Sequence, residues 1–443
     1  MDIDLLEDVV SAALRAGADA AEAVGAERQS LSVSVREGRL EDVENEESRD
    51  LGLRVFIGRS QAVVSGSDLS PEARARLVER AVAMARLAPE DIYAGLAPQD
   101  RLFRGEGPDL GEYDPTERTA ADLEDAAMAI EATALQNTGV SKSDGGAAGW
   151  YRGRWAMVTS DGFRGARKAS MYSLSATMIA GEGAGMERGG DGRATRWLAD
   201  LPTAAELGAS AAERTVARLN PRRLESRTAP VIFENRIATS LLGPLVGAIS
   251  GPAVARGVSF LKDRLGQPVF ASGVRITEEP HRIKGLGSAP FDDEGVATEV
   301  RTLIDDGVLT TWLLNTSSAR QLGMQTTGHA SRGLAGAPGV GTHNLTLQPG
   351  TESPEALRRT VGDGLWVTSM FGPSLNSNTG DWSVGVSGFW FENGELAYPV
   401  NEITVAGNLI DIYRRLVPAS DLEIRSASNS PSLLVDGLAI AGA

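Results

Sequence analysis

Apolar residues recur at helical spacing over residues 5–16, with Val9, Val10, Ala13 and Leu14 on one side, and the run stops at Gly17. That spacing predicts a first helix. Residues 31–35 (Leu-Ser-Val-Ser-Val) alternate strictly, turn at Glu37-Gly38 and resume over 40–43, which predicts a hairpin. Residues 51–57 and 61–65 predict a second strand pair around Gly58. Ser70-Pro71 opens a helix reaching Ala88, because serine can cap free amides and proline has none to lose. Residues 1–90 thus form an N-terminal α+β domain of helices and β-hairpins.

Residues 89–115 are rich in Pro, Gly and Asp and predict a long connection. A helix is expected from Asp114 to about residue 136, then strands over 155–160 and 170–179 joined by Asp161-Gly162-Phe163. The glycine-rich run 181–192 predicts a mobile loop or lid, and 203–219 a helix. These make a mixed middle domain, 91–222. The last unit, 228–443, is β-rich. It opens on a buried strand at 229–233 and continues with a helix over 237–250 that Gly243, Pro244 and Gly247 weaken. A helix over 353–362 and a hairpin through Asn393-Gly394 follow. The fold class is α+β.

The stretch 285–295 (Gly-Leu-Gly-Ser-Ala-Pro-Phe-Asp-Asp-Glu-Gly) cannot be helical. Behind it, residues 299–304 and 308–314 predict a hairpin through Asp305-Asp306-Gly307. Thr327-Gly-His329-Ala comes next. A strand pair flanked by glycine loops suits either an ordinary sheet rim or a surface that holds an extended polymer.

Charge narrows the partners. The 443 residues carry a formal net charge of −16, and Arg28, Arg36 and Arg39 each have an acidic neighbour. Nucleic-acid binding needs a basic patch to neutralise phosphate, so nucleic acid and anionic membranes are not expected partners. There is no cysteine, which removes disulfides, thiolate metal sites and a cysteine nucleophile. The acidic start (Met-Asp-Ile-Asp) is unlike a secretory signal, and no run approaches the roughly 20 apolar residues of a membrane span. A cytoplasmic protein is expected.

Chemical motifs are sparse. His281, His329 and His343 lie too far apart for a His-Glu-x-x-His helix, and a zinc site built from them would need distant segments to converge with a carboxylate. Asp292-Asp293-Glu294 lacks calcium-loop spacing and suits capping and turn formation. Ser259-Phe-Leu-Lys262 matches Ser-x-x-Lys and Ser374-Leu-Asn376 loosely resembles a second element of that set, but Lys-Thr-Gly is missing, and the glycines of 333–341 lack a strand–helix frame.

Several longer strings are more specific. Pro290-Phe-Asp-Asp-Glu-Gly-Val296, the hairpin over 305–314, Ser318-Ala-Arg-Gln-Leu-Gly323, Thr327-Gly-His-Ala330, Gly388-Phe-Trp-Phe-Glu-Asn-Gly394 and Glu402-Ile-Thr-Val-Ala-Gly-Asn408 resemble the TldD/TldE (PmbA) metalloprotease family. The match is better to its TldE/PmbA branch. The resemblance implies the TldD/PmbA-like fold and a pairing. TldD-like subunits hold zinc with a His-Glu-x-x-x-His helix and a cysteine, whereas TldE-like subunits lack those ligands. The pair cleaves unfolded or leader peptides in an enclosed chamber. Here the position of the lost motif is Gly243, Pro244, Leu245, Val246, Gly247 and Ala248, which offer no zinc ligand. No catalytic or metal residue and no cofactor is therefore expected in this chain, with zinc in a TldD-like partner. Ser288, Phe291, Asp292, Asp293, Glu294 and His329 are the candidates for chamber wall or interface. The alternative is a homodimeric peptide-binding regulator of the gyrase-modulator type, without proteolysis. A third is an independent hydrolase using the three histidines.

Overall fold

The computed structural model describes residues 2–442. Helix α1 (Ile3–Arg15) starts where the Asp2 side chain accepts from the Asp4 amide. Strands β1 (Ala20–Arg36), β2 (Arg39–Ile57) and β3 (Ser60–Gly66) follow, then α2 (Pro71–Leu87), whose N-cap is Ser70. The β1–β2 turn holds Glu37 and Gly38 at φ 51° and 69°, the twist a two-residue hairpin requires. Both of their amides donate to the Glu131 carboxylate at 2.8 Å. Glu131 lies on α3 (Ala120–Leu135), which precedes β4 (Val140–Thr159), β5 (Arg164–Ala180), β6 (Glu187–Thr195) and α4 (Ala204–Val216).

These six strands form one antiparallel sheet in the order β3-β2-β1-β4-β5-β6, so the sheet continues from the first segment into the second. α1 and α2 pack on one end of it, around Ala21, Ala23 and Leu53. α3 and α4 pack on the other end, around Val33, Val35 and Trp150. By the two-residue period, Val24 and Met157 point to the opposite face, where they meet Phe163 and Phe291. Residues 21–26 of β1 are therefore buried on both faces, and apart from Glu22 they read in sequence as an apolar run. The outer half of β2 is exposed and carries Glu41, Asp42, Glu44, Glu46 and Glu47, charges that discourage edge pairing.

The structure corrects three of the expected elements. The helix placed at Asp114 begins instead at Ala120, capped reciprocally by Thr119 and Asp122. Asp114 is buried and accepts from the amides of Thr116 and Leu198. The glycine-rich run is edge strand β6 after a short 3-10 turn, not a lid. Its glycines answer close packing: a Cβ on Gly189 would press on Thr215 of α4 at 2.8 Å. The single helix over 237–250 is three pieces, α5 (Asn235–Ala238), a 3-10 turn and α6 (Leu242–Ala248), as Gly243 and Pro244 favour.

Beyond residue 226 the chain is β-dominated. It begins with β7 (Arg227–Phe233), and α7 (Gly251–Ala255) follows α6. Next come β8 (Ile276–Glu278), β9 (Arg301–Asp305), β10 (Val308–Leu309) and α8 (Thr316–Gln321). Then come β11 (Ala330–Ser331), β12 (Gly339–Val340), β13 (Leu345–Leu347) and α9 (Pro354–Val361). The long strands β14 (Gly364–Leu375), β15 (Asp381–Glu392) and β16 (Glu395–Asn408) lead to α10 (Leu409–Arg415), β17 (Leu416–Pro418), β18 (Ser428–Asn429) and β19 (Leu433–Ala441). One sheet runs β16-β15-β14-β7-β19-β17, and β16 also pairs with β19, so five of its strands close into a ring. A second runs β10-β9-β8-β13-β18. A single large apolar core, including Phe233, Leu245, Ile304, Trp382 and Tyr413, joins the two.

Candidate functional site

The segment 285–296 is wedged between the helix-free face of the first sheet and the loops of the last region. Phe291 anchors it: its ring lies 5.3–5.9 Å from those of Phe103, Trp155 and Phe163. Asp292 is buried and holds the loop through three amides. Its Oδ1 accepts from Glu294 and Val296, and its Oδ2 from Ala330, each at 2.9 Å. Burial, and then the neighbouring Glu294 carboxylate, push the Asp292 carboxyl well up. Burial also raises Glu294, against the pull of the Thr316 amide that it accepts at 2.8 Å. Asp293 binds the Arg167 guanidinium through one oxygen and accepts from the Arg332 amide through the other. Asp292 thus closes the turn and Glu294 receives the first amide of α8, whereas Asp293 forms an ion pair across to β5.

Beside them is a second buried ionic cluster. Glu22 of β1 meets both Arg54 of β2 and Arg332 of the loop after β11, and all three side chains are almost fully enclosed. It ties the first sheet to the last region.

Between these layers lies a cavity of ≈ 340 Å³, lined among others by Tyr151, Trp155, Arg196, Asp293, His329 and His343. Glu112 is also on its wall, its carboxyl pushed up by burial against the pull of Arg196 and Arg167. Arg196 donates to the carbonyls of Ser170, Gly285 and Leu286, so it fixes the cavity rim to the glycine loop. Ser288 lies on the same wall and donates to the Arg282 carbonyl.

Two of the three histidines converge here. His329 Nε2 meets one oxygen of Glu278, and His343 Nδ1 lies 3.2 Å from the other. His281 does not join them; its Nε2 pairs with Thr298 Oγ1 at 3.0 Å, and burial, then His343, push it down. Glu278 escaped the sequence reading. Its signal was faint: in Ile276-Thr-Glu278 the period of two puts an acid on the same face as a core isoleucine.

Helix α6 faces a different cleft, of ≈ 610 Å³, lined by Gly243, Pro244, Gly247, Phe260, Met370 and Trp382. Leu242, Leu245 and Ala248 turn into the core. Residues 243–248 carry no imidazole, carboxylate or thiolate, so this helix does not fit a zinc ion.

The ring-closed β region and the spanning sheet define the class. The chain belongs to the PmbA/TldD metallopeptidase family: residues 21–85 match domain 1 of the PmbA/TldA metallopeptidases, 112–219 their central domain and 226–442 their C-terminal domain. It is 40% identical to Metalloprotease PmbA of Escherichia coli O157:H7, covering 99% of this chain and 96% of that one. A homologue from Haemophilus influenzae is 37% identical over 98% and 94%. Among solved structures, a candidate modulator of DNA gyrase from Bacteroides thetaiotaomicron superposes with a TM-score of 0.92 at 28% identity, over 99% and 98% of the two chains. TldE from Thermococcus kodakarensis shares the fold, with a TM-score of 0.87 at 19% identity over 99% and 100%. Among the described residues no helix is long and apolar enough to cross a membrane.

Proposed function

We propose that this chain is the non-catalytic subunit of a zinc-dependent metallopeptidase complex that degrades unfolded peptides or processes leader peptides. The observation that carries the reading is α6: a helix exposed to an open cleft, in a metallopeptidase family, whose residues 243–248 offer no metal ligand and no general base. A TldD-like partner would supply the zinc. The α6 cleft, walled by Phe260, Met370 and Trp382, suits apolar side chains of an extended peptide, which a folded protein would not present.

The test is an assay of an unstructured peptide with the chain alone, a TldD-like protein alone and the two mixed. Cleavage is expected to rise on mixing and to be abolished by a chelator. Chelator-sensitive cleavage by this chain alone overturns the proposal. Self-association without a TldD-like partner in a pull-down favours the homodimeric regulator instead.

A further inference from the structure

We infer that Glu278, His329 and His343 form a binding site for one divalent transition-metal ion of the zinc class. The inference goes beyond the subunit reading and does not rest on it.

The residues come from three segments. Glu278 ends β8, His329 immediately precedes β11, and His343 lies two residues before β13. Pairing of Leu345 with Glu278 across β13 and β8 brings His343 alongside the carboxylate. One ligand atom from each residue lies within 4.8 Å of the other two. Ligands at 2.0–2.2 Å around a tetrahedral ion sit roughly 3.3 Å apart, so side-chain adjustments are enough to close the triad on a metal.

Three features separate this cluster from a chance contact. The Glu278 side chain is completely enclosed, and among the described residues no Lys or Arg reaches it; its partners are the two imidazoles and the His343 amide. A buried carboxylate is costly without a compensating cation. Second, His329 has a supporting partner. Its Nδ1 lies 2.8 Å from Thr327 Oγ1, which accepts from the Leu314 amide at 2.7 Å and reaches the Leu314 carbonyl at 3.3 Å. With the hydroxyl proton given to that carbonyl, Thr327 accepts from Nδ1–H, which leaves Nε2 as the ring nitrogen that a metal ion would take in place of the proton shared with Glu278. Metal-ligating imidazoles are held by such outer hydrogen bonds. Third, both histidines border the cavity, which leaves a coordination position open to water or a small ligand. Two imidazoles and one carboxylate suit zinc-class ions better than calcium or magnesium, which prefer oxygen throughout.

The composition makes the test clean. The chain has three histidines and no cysteine, so there is little else to hold such an ion. The full chain is stripped with a chelator and loaded with zinc. Bound metal is counted by mass spectrometry, and the thermal midpoint is followed with and without zinc. One equivalent per chain and a zinc-dependent rise in midpoint are expected. His343→Ala and Glu278→Gln should weaken binding by at least about tenfold and abolish the rise. His281→Ala should leave both intact. Circular dichroism of the stripped variants checks that they still fold. Substoichiometric zinc in the wild-type chain, meaning that a ring proton alone balances Glu278, overturns the site. So does full retention in folded His343→Ala and Glu278→Gln. The two proposals fail separately: a zinc-loaded chain that cleaves peptide unaided refutes the subunit reading and leaves the site standing.

Discussion

Asp292 gives the sharpest stability test, because one side chain terminates three buried amides. The Glu294, Val296 and Ala330 N–H groups all donate to it at 2.9 Å, and Val296 and Ala330 are themselves enclosed, so bulk water does not replace the lost acceptor. Leaving a buried donor unpaired costs about 1–3 kcal/mol. Asp292→Ala should therefore destabilise the chain by about 3 kcal/mol even at the low end of that range. Asp292→Asn keeps an oxygen for Glu294 and Val296 and turns a donor toward Ala330. It also removes a carboxyl whose ionisation burial and Glu294 oppose, which offsets part of the loss. We expect Asn to cost about 1–2 kcal/mol. Urea unfolding midpoints, compared at constant slope, measure both. Equal losses for Ala and Asn, or a loss below about 1 kcal/mol for Ala, would refute the reasoning, since the amides would then have another way to be satisfied.

Two further predictions concern the ionic joints. Glu22→Gln removes the carboxylate that the enclosed guanidinium groups of Arg54 and Arg332 share and should cost about 3–5 kcal/mol, read from the same urea curves; replacing Glu22, Arg54 and Arg332 together by apolar residues should cost much less. Asp191 joins β6 to Arg236 and Arg425; burial raises its carboxyl, but the hydrogen bonds of Arg236 and Ser210 outweigh this and hold it below the usual range. A depressed carboxylate contributes stability that is fully present above its unfolded value, about 3.9, and is lost as pH falls from there through its lower folded value. Asp191→Asn should therefore flatten the acid limb of a stability–pH profile, and an unchanged limb would contradict the assignment.

Local chemistry was legible in the chain wherever the period and the turn residues agreed. Ser70-Pro71, Asp306-Gly307 and Asn393-Gly394 mark a helix start and two turns that the structure contains, with φ 47° at Asp306 and 52° at Asn393. The lack of metal ligands in α6 is likewise a property of the string Gly-Pro-Leu-Val-Gly-Ala. The resemblance carried by Pro290-Phe-Asp-Asp-Glu-Gly named the family that the comparisons then showed. What the string did not hold were relations between distant segments. Glycines at 189 and 190 look mobile until α4 and β5 close on them. Glu278 looks like either acid of a Glu-Glu-Pro string until β13 lays His343 against it and the Thr327-Gly-His329 turn delivers a second imidazole. Periodicity records which face a residue takes, and only tertiary contacts across 51 and 65 positions decide which residues meet there.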